Sequence, residues 1–140
     1  MAENVFLENK RKLSLTEYMN YNTNDRGNLG DQLPVAVYRL MEYSIREQLG
    51  EEEQVRIFRK AGFKAGAYFA ENILDISLPL NAFIASLQSK MEEMKIGVLR
   101  IEKFDEETGR IMLTVSEDAD CSGLPLLGET VCNYDEGFIA

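Results

Sequence analysis

Cys121 and Cys132 are the only thiols of the chain, and histidine is absent. A four-coordinate zinc site needs Cys, His or carboxylate partners, so Cys132 as a metal ligand would depend on Cys121, on acidic residues, or on chain beyond Ala140. Glu117, Asp118 and Asp120 precede Cys121, but they lack the spacing of a cation loop, and a solvated acidic loop accounts for them. Two cysteines in a domain of this size are not a disulfide framework, and free thiols are the ordinary reading in a reducing compartment. Cys121 precedes Cys132 by eleven positions across a glycine-containing loop, so a disulfide, or a metal shared with an acidic residue, stays open.

Other catalytic chemistry is thinly represented. No G-x-G-x-x-G fingerprint follows a strand, so a nicotinamide or flavin site of that type is not encoded. Without histidine, acid/base work would fall to carboxylates, Tyr or Cys, and none stands in a recognisable constellation. Asp135 and Glu136 lie beside Cys132, and a helix start explains their charge. A binding module asks for less: an apolar pocket with a few orienting groups. Tyr38, Phe58, Phe69, Phe83 and Leu87 could line one, and each would serve equally well in a core.

The elements that must position these residues read as helices first and a hairpin afterwards. Asp31 and Pro34 open a helix over about 32–49 with Val37, Leu40, Met41, Ser44 and Ile45 on one face, ended by Gly50. Glu51, Glu52 and Glu53 start a second over about 51–73, where acidic charge suits the helix N-terminus. Its stripe is Val55, Phe58, Gly62, Gly66, Phe69 and Ile73. Each mid-helix glycine costs about 1 kcal/mol against alanine, so Gly62 and Gly66 make room either for a neighbouring helix or for a bound apolar molecule. A third helix, about 79–94, carries Phe83, Ile84, Leu87, Met91 and Met94. The period then changes to two, which predicts an antiparallel hairpin over about 96–104 and 110–116 around Asp105-Glu-Glu-Thr-Gly109. A last helix begins near Val131 or Cys132, and the chain stops soon after. Helices, hairpin and helix in that order form an α+β pattern. Residues 1–28 read as an N-terminal arm or peripheral strand and loop, with an apolar patch at Val5, Phe6 and Leu7.

A chain of 140 residues with 45% hydrophobic and 28% charged residues can bury one sizeable core. Its net charge of −9 opposes polyphosphate partners, and the run Lys10-Arg11-Lys12 is too short to reverse this. No 18-residue apolar stretch or signal-peptide pattern is present. The expectation is therefore a cytoplasmic protein with no nucleic-acid partner and no membrane insertion.

Four stretches carry a resemblance to a known family: Leu29-Gly-Asp-Gln-Leu-Pro-Val-Ala-Val-Tyr-Arg-Leu-Met41, Arg59-Lys-Ala-Gly-Phe-Lys-Ala-Gly66, Ile96-Gly97, and Val131-Cys-Asn-Tyr-Asp-Glu-Gly-Phe-Ile-Ala140. In order and spacing they resemble the 4-vinyl reductase domain family, which is related to transport-particle subunits of vesicle tethering and to phenol-sensing domains of bacterial activators. The resemblance covers about 29–140. It implies an α+β ligand-binding domain of the NO-signalling/Golgi-transport type, with helices on one side of a twisted antiparallel sheet and an apolar cavity between the layers. It also implies a truncated C-terminus, because in the phenol-sensing branch a structural zinc is held by a cysteine in the position of Cys132 together with a Glu-x-x-Cys motif and a further cysteine downstream. Cys132 is the one metal ligand carried over, so no metal is expected on this chain unless further zinc ligands follow Ala140.

The expected function is non-catalytic binding or sensing of a small hydrophobic ligand, as a homodimer, with Tyr38, Phe58, Gly62, Gly66, Phe69, Phe83 and Leu87 at the ligand. Two alternatives stand beside it. One is a tetrapyrrole vinyl reductase or its accessory factor. The other is a dimerising interaction module that would use Tyr18, Tyr21 and Tyr43.

Overall fold

The computed structural model describes residues 12–19, 26–126, 128 and 131–140. The apolar patch at Val5, Phe6 and Leu7, most of the basic run, and Tyr21 lie outside the described residues. The chain divides into two compact units, Met1–Leu33 and Pro34–Ala140.

In the first unit, a short helix α1 (Leu15–Met19) forms where an arm or strand is expected. The local reason is a reciprocal cap. The Ser14 hydroxyl accepts the Glu17 N–H at 3.2 Å, and the Glu17 carboxylate accepts the Ser14 N–H at 2.9 Å.

The second unit holds α2 (Val35–Leu49), α3 (Glu51–Asn72), α4 (Leu80–Glu93), strands β1 (Val98–Asp105) and β2 (Arg110–Ser116), and α5 (Asn133–Ile139). It is a mixed α+β arrangement with a small antiparallel sheet. Pro34 and Pro79 stand at the N-termini of α2 and α4, where a missing N–H costs no helical hydrogen bond. Gly50, at φ 85°, ends α2 and opens α3 in one residue. The hairpin pairs Leu99 with Val115 and Ile101 with Leu113, and a bulge between Ile101 and Lys103 shifts the register.

The closest packing is between α3 and α5. A Cβ built on Gly62 would lie 2.9 Å from the Phe138 nitrogen and nearer still to the Tyr134 carbonyl oxygen. One on Gly66 would run into the Phe138 carbonyl, and one on Gly137 into the Arg59 carbonyl. Three glycines thus let two backbones meet with no side chain between them, as small residues do at close helix crossings. Of the two uses open for the glycine pair, Gly62 serves a neighbouring helix. Phe138 is then seated edge-on against Phe69, with ring centres 5.4 Å apart. Phe69, Met91, Leu99 and Phe138 form the core cluster.

The face of α2 that packs is not its most apolar one. Val37, Leu40, Met41 and Ser44 are exposed, Leu40 by 66%, whereas Tyr38, Arg39 and Glu42 are half-buried. Tyr38 sets this orientation. Its ring meets Phe58 and Tyr134 edge-on at 5.7 and 6.0 Å, and its hydroxyl donates to Asp120 Oδ1 at 2.9 Å. Arg39 donates to the carbonyls of Ala119 and Ser122. Directional bonds to one loop outweigh the weaker pull of an apolar stripe that, among the described residues, has nothing to cover it. No described helix is long and apolar enough to cross a membrane.

Candidate functional site

Two features of the second unit could carry function: an apolar cleft and a buried polar cluster at the start of α5.

The cleft has a volume of about 630 Å³ and lies among α3, α4, the hairpin and α5. Helix α3 contributes Phe63, Gly66, Phe69 and Ala70; α4 contributes Leu80, Phe83, Ile84 and Leu87. Both strands turn aliphatic side chains into it, Leu99 and Ile101 from β1 and Ile111 and Leu113 from β2, and α5 closes one side with Phe138 and Ile139. The period-two pattern of the hairpin and the three- to four-residue spacing in α4 converge on this space. Its volume falls within the range usual for small-molecule sites, about 300–1,000 Å³, and no charged side chain lines it.

Of the residues expected at the ligand, Gly66, Phe69, Phe83 and Leu87 line the cleft. Tyr38, Phe58 and Gly62 are brought together elsewhere, where α2, α3 and α5 meet. Sequence periodicity alone cannot separate these sets, because one stripe of α3 feeds both, Gly66 and Phe69 the first and Phe58 and Gly62 the second, and its successive turns meet different neighbours. Leu99, Ile101, Ile111 and Leu113 carried a readable signal in their alternation, but the bulge after Ile101 and the choice of inward face decide which of them reach the cleft.

The polar cluster is built on the loop after β2. Asp120, 1% exposed, accepts the Tyr38 hydroxyl on one oxygen and the Tyr134 N–H at 2.8 Å on the other. It therefore caps α5 from outside the helix while tying the loop to α2. Burial, above all, raises its carboxyl above the usual carboxylate range against the hydrogen bonds it accepts. Burial likewise raises the Tyr38 hydroxyl, with the Asp120 charge adding to it. Asp118 accepts the Cys121 N–H at 3.0 Å and the Ser122 hydroxyl at 2.7 Å. Burial pushes Asp118 upward, yet its interaction with Asp135 and the hydrogen bonds from Ser122 and the Cys121 backbone hold it below its ordinary value. Asp135 is pushed up to about 8, by burial first and then by Asp118. A split pair of carboxylates can serve acid/base chemistry, but neither Asp118 nor Asp135 lines the cleft.

The two thiols, read as free from composition, are joined. Cys121 and Cys132 form a disulfide with Cα atoms 5.6 Å apart. Asp118 stands with them, and one ligand atom from each of Asp118, Cys121 and Cys132 lies within 4.8 Å of the others. These three could hold a metal ion. The acidic run before Cys121 is accordingly not a solvated loop at Asp118 and Asp120, both of which are buried. No charge-pattern rule separates such residues from an exposed run, because the partners of Asp120 lie 82 residues away in α2 and across the loop in α5.

The molecule so defined is a small α+β unit with an apolar cleft and a polar clasp beside it. In sequence it is similar to Uncharacterized protein MJ1642 of Methanocaldococcus jannaschii, with 26% identity over 113 residues, 80% of this chain and 61% of that protein. The chain thus spans less than two thirds of that relative's length. No family model matches the chain, and no solved structure does.

Proposed function

We propose that this chain is a 4-vinyl reductase-type domain that binds or senses a small hydrophobic molecule in the cleft between α3, α4, the hairpin and α5, without catalysis of its own. The observation that carries the reading is the lining itself. Nearly every side chain around about 630 Å³ is aliphatic or aromatic, and the lining comes from five separate elements. Such a space selects by shape and burial rather than by charge, so the ligand class is hydrocarbon, aromatic or lipid-like. Cytoplasmic residence belongs to the same proposal.

The test is displacement of an apolar fluorescent probe from the purified protein by a graded series of phenols and fatty acids. The reading expects saturable binding that Phe83→Gln weakens at least tenfold with little loss of stability, since Phe83 is only half-buried. Unsaturable binding, or binding that Phe83→Gln leaves unchanged, contradicts it.

A second reading, a dimerising module, is favoured by one observation. Val35, Leu40, Met41 and Tyr43 are all at least half exposed along α2. Large apolar side chains exposed along one helix suit a contact site. Sedimentation across a range of concentrations, repeated with Leu40→Glu, tests the expected homodimer. A monomer at all concentrations would remove it.

A further inference from the structure

We propose that Asp118, Cys121 and Cys132 form a site for a thiophilic divalent cation of the zinc class, which the reduced chain holds and which the Cys121–Cys132 disulfide replaces on oxidation.

Three observations point to a cation. First, the two sulfurs and a carboxylate oxygen already converge within 4.8 Å. With Zn–S bonds of about 2.3 Å at a tetrahedral angle, the sulfurs need stand only about 3.7 Å apart, so side-chain rotation suffices to open the bond into a ligand pair. Second, Asp118 Oδ2 lies 3.2 Å from Cys121 Sγ. A disulfide sulfur carries no proton, so this approach is not a hydrogen bond; the same oxygen accepts the Cys121 N–H at 3.0 Å, which sets its place. That place leaves the carboxylate within reach of a cation held by the Cys121 thiolate. Third, Asp135 is 9% exposed and its Oδ2 has no hydrogen-bond partner. It belongs to the same buried cluster as Asp118, both carboxylates being less than a tenth exposed. Unpaired buried oxygens are uncommon and call for a partner.

The site is held in advance. The Cys121 N–H and the Ser122 hydroxyl fix the Asp118 carboxylate, as second partners do around bound metals. All three ligands belong to this chain and precede Ala140. The proposal therefore needs no downstream residue, and it does not rest on the cleft.

The exchange balances with a peroxide as oxidant. The two metal-bound thiolates lose two electrons as the S–S bond forms, and zinc departs unchanged as Zn²⁺. The peroxide takes up the two electrons and two protons to give two waters. A dithiol reductant reverses the step, becoming a disulfide itself, and metal binding then releases the two thiol protons. Because α5 begins at the residue after Cys132 and closes one side of the cleft, the exchange takes place where the chain enters the cleft wall.

The test uses the 140-residue chain, reduced, desalted without oxygen and titrated with cobalt(II). One equivalent should give tetrahedral d–d bands and thiolate charge transfer, which zinc abolishes. Peroxide should release that equivalent as two thiols disappear. Cys121→Ser and Cys132→Ser should each lose the spectrum, and Asp118→Asn, which keeps both thiols, should weaken binding at least tenfold. Absence of a tetrahedral spectrum at one equivalent overturns the proposal. So does binding that Cys121→Ser and Asp118→Asn leave unchanged, since the ligands would then lie elsewhere.

Discussion

Gly62→Ala should destabilise the protein even though alanine is the better helix former. In an open helix the change would gain about 1 kcal/mol. Here the new methyl would lie 2.9 Å from the Phe138 nitrogen and closer to the Tyr134 carbonyl, and both obstacles are backbone. No rotamer change relieves them, so α5 must retreat by about 1.5 Å to reach ordinary contact distance. Overpacking of this kind costs about 1–3 kcal/mol. Retreat also loosens Phe138 from Phe69, forfeiting part of the roughly 1.5–3 kcal/mol that burying such a ring provides. Against the gain in propensity, the expected net loss is about 2–3 kcal/mol. Urea denaturation followed by circular dichroism measures it. Ala61→Gly serves as the control, because Ala61 is exposed one residue away and its replacement should cost only the propensity difference of about 1 kcal/mol. If Gly62→Ala is as stable as the parent or more so, α3 and α5 do not meet backbone to backbone, and the account of the glycines is wrong.

Three further outcomes are expected. Tyr38→Phe, which strips the hydroxyl from buried Asp120, should lower stability by about 1–3 kcal/mol in the same denaturation assay; no loss would show that Asp120 does not depend on α2. Reducing the Cys121–Cys132 bond in the presence of a chelator should lower stability by up to about 3 kcal/mol, from the loop entropy of an 11-residue separation, and an unchanged unfolding midpoint would contradict the link. Burial, and then the Asp120 charge, raise the Glu42 carboxyl above its ordinary value of 4.5, so the fold favours its protonated form. That contribution is full below pH 4.5 and is lost as pH rises through the higher folded value. Glu42→Gln should flatten this part of the stability curve, and an identical slope in the variant would refute the assignment.

Much of the fold was legible because its signals are local. The spacing in α3 and α4, the change of period at Ile96, and the acidic start of α3 each act within a turn or two, and the helices and hairpin fall close to where those signals put them. What escaped depends on partners distant in sequence. The orientation of α2 follows a hydrogen bond from Tyr38 to Asp120, 82 residues away, which no apolar stripe records. The cleft took in Gly66, Phe69, Phe83 and Leu87 but not Tyr38, Phe58 or Gly62, because one helix serves two neighbours and periodicity names the stripe without the neighbour. The pairing of Cys121 with Cys132 lies in the course of the intervening loop, and composition could weigh a disulfide only as one alternative. Helix α1 escaped for a different reason: its Ser14 and Glu17 cap was readable, but five residues are too few to show a helical period.

The central claim, that the cleft holds an apolar molecule, is tested most directly by native mass spectrometry of the protein as purified, followed by organic extraction and identification of what is released. The account predicts an added mass in stoichiometric amount that extraction recovers as an apolar compound and that Phe83→Gln diminishes. A protein that flies empty, and that takes up no phenol or fatty acid when these are added in excess, would contradict it.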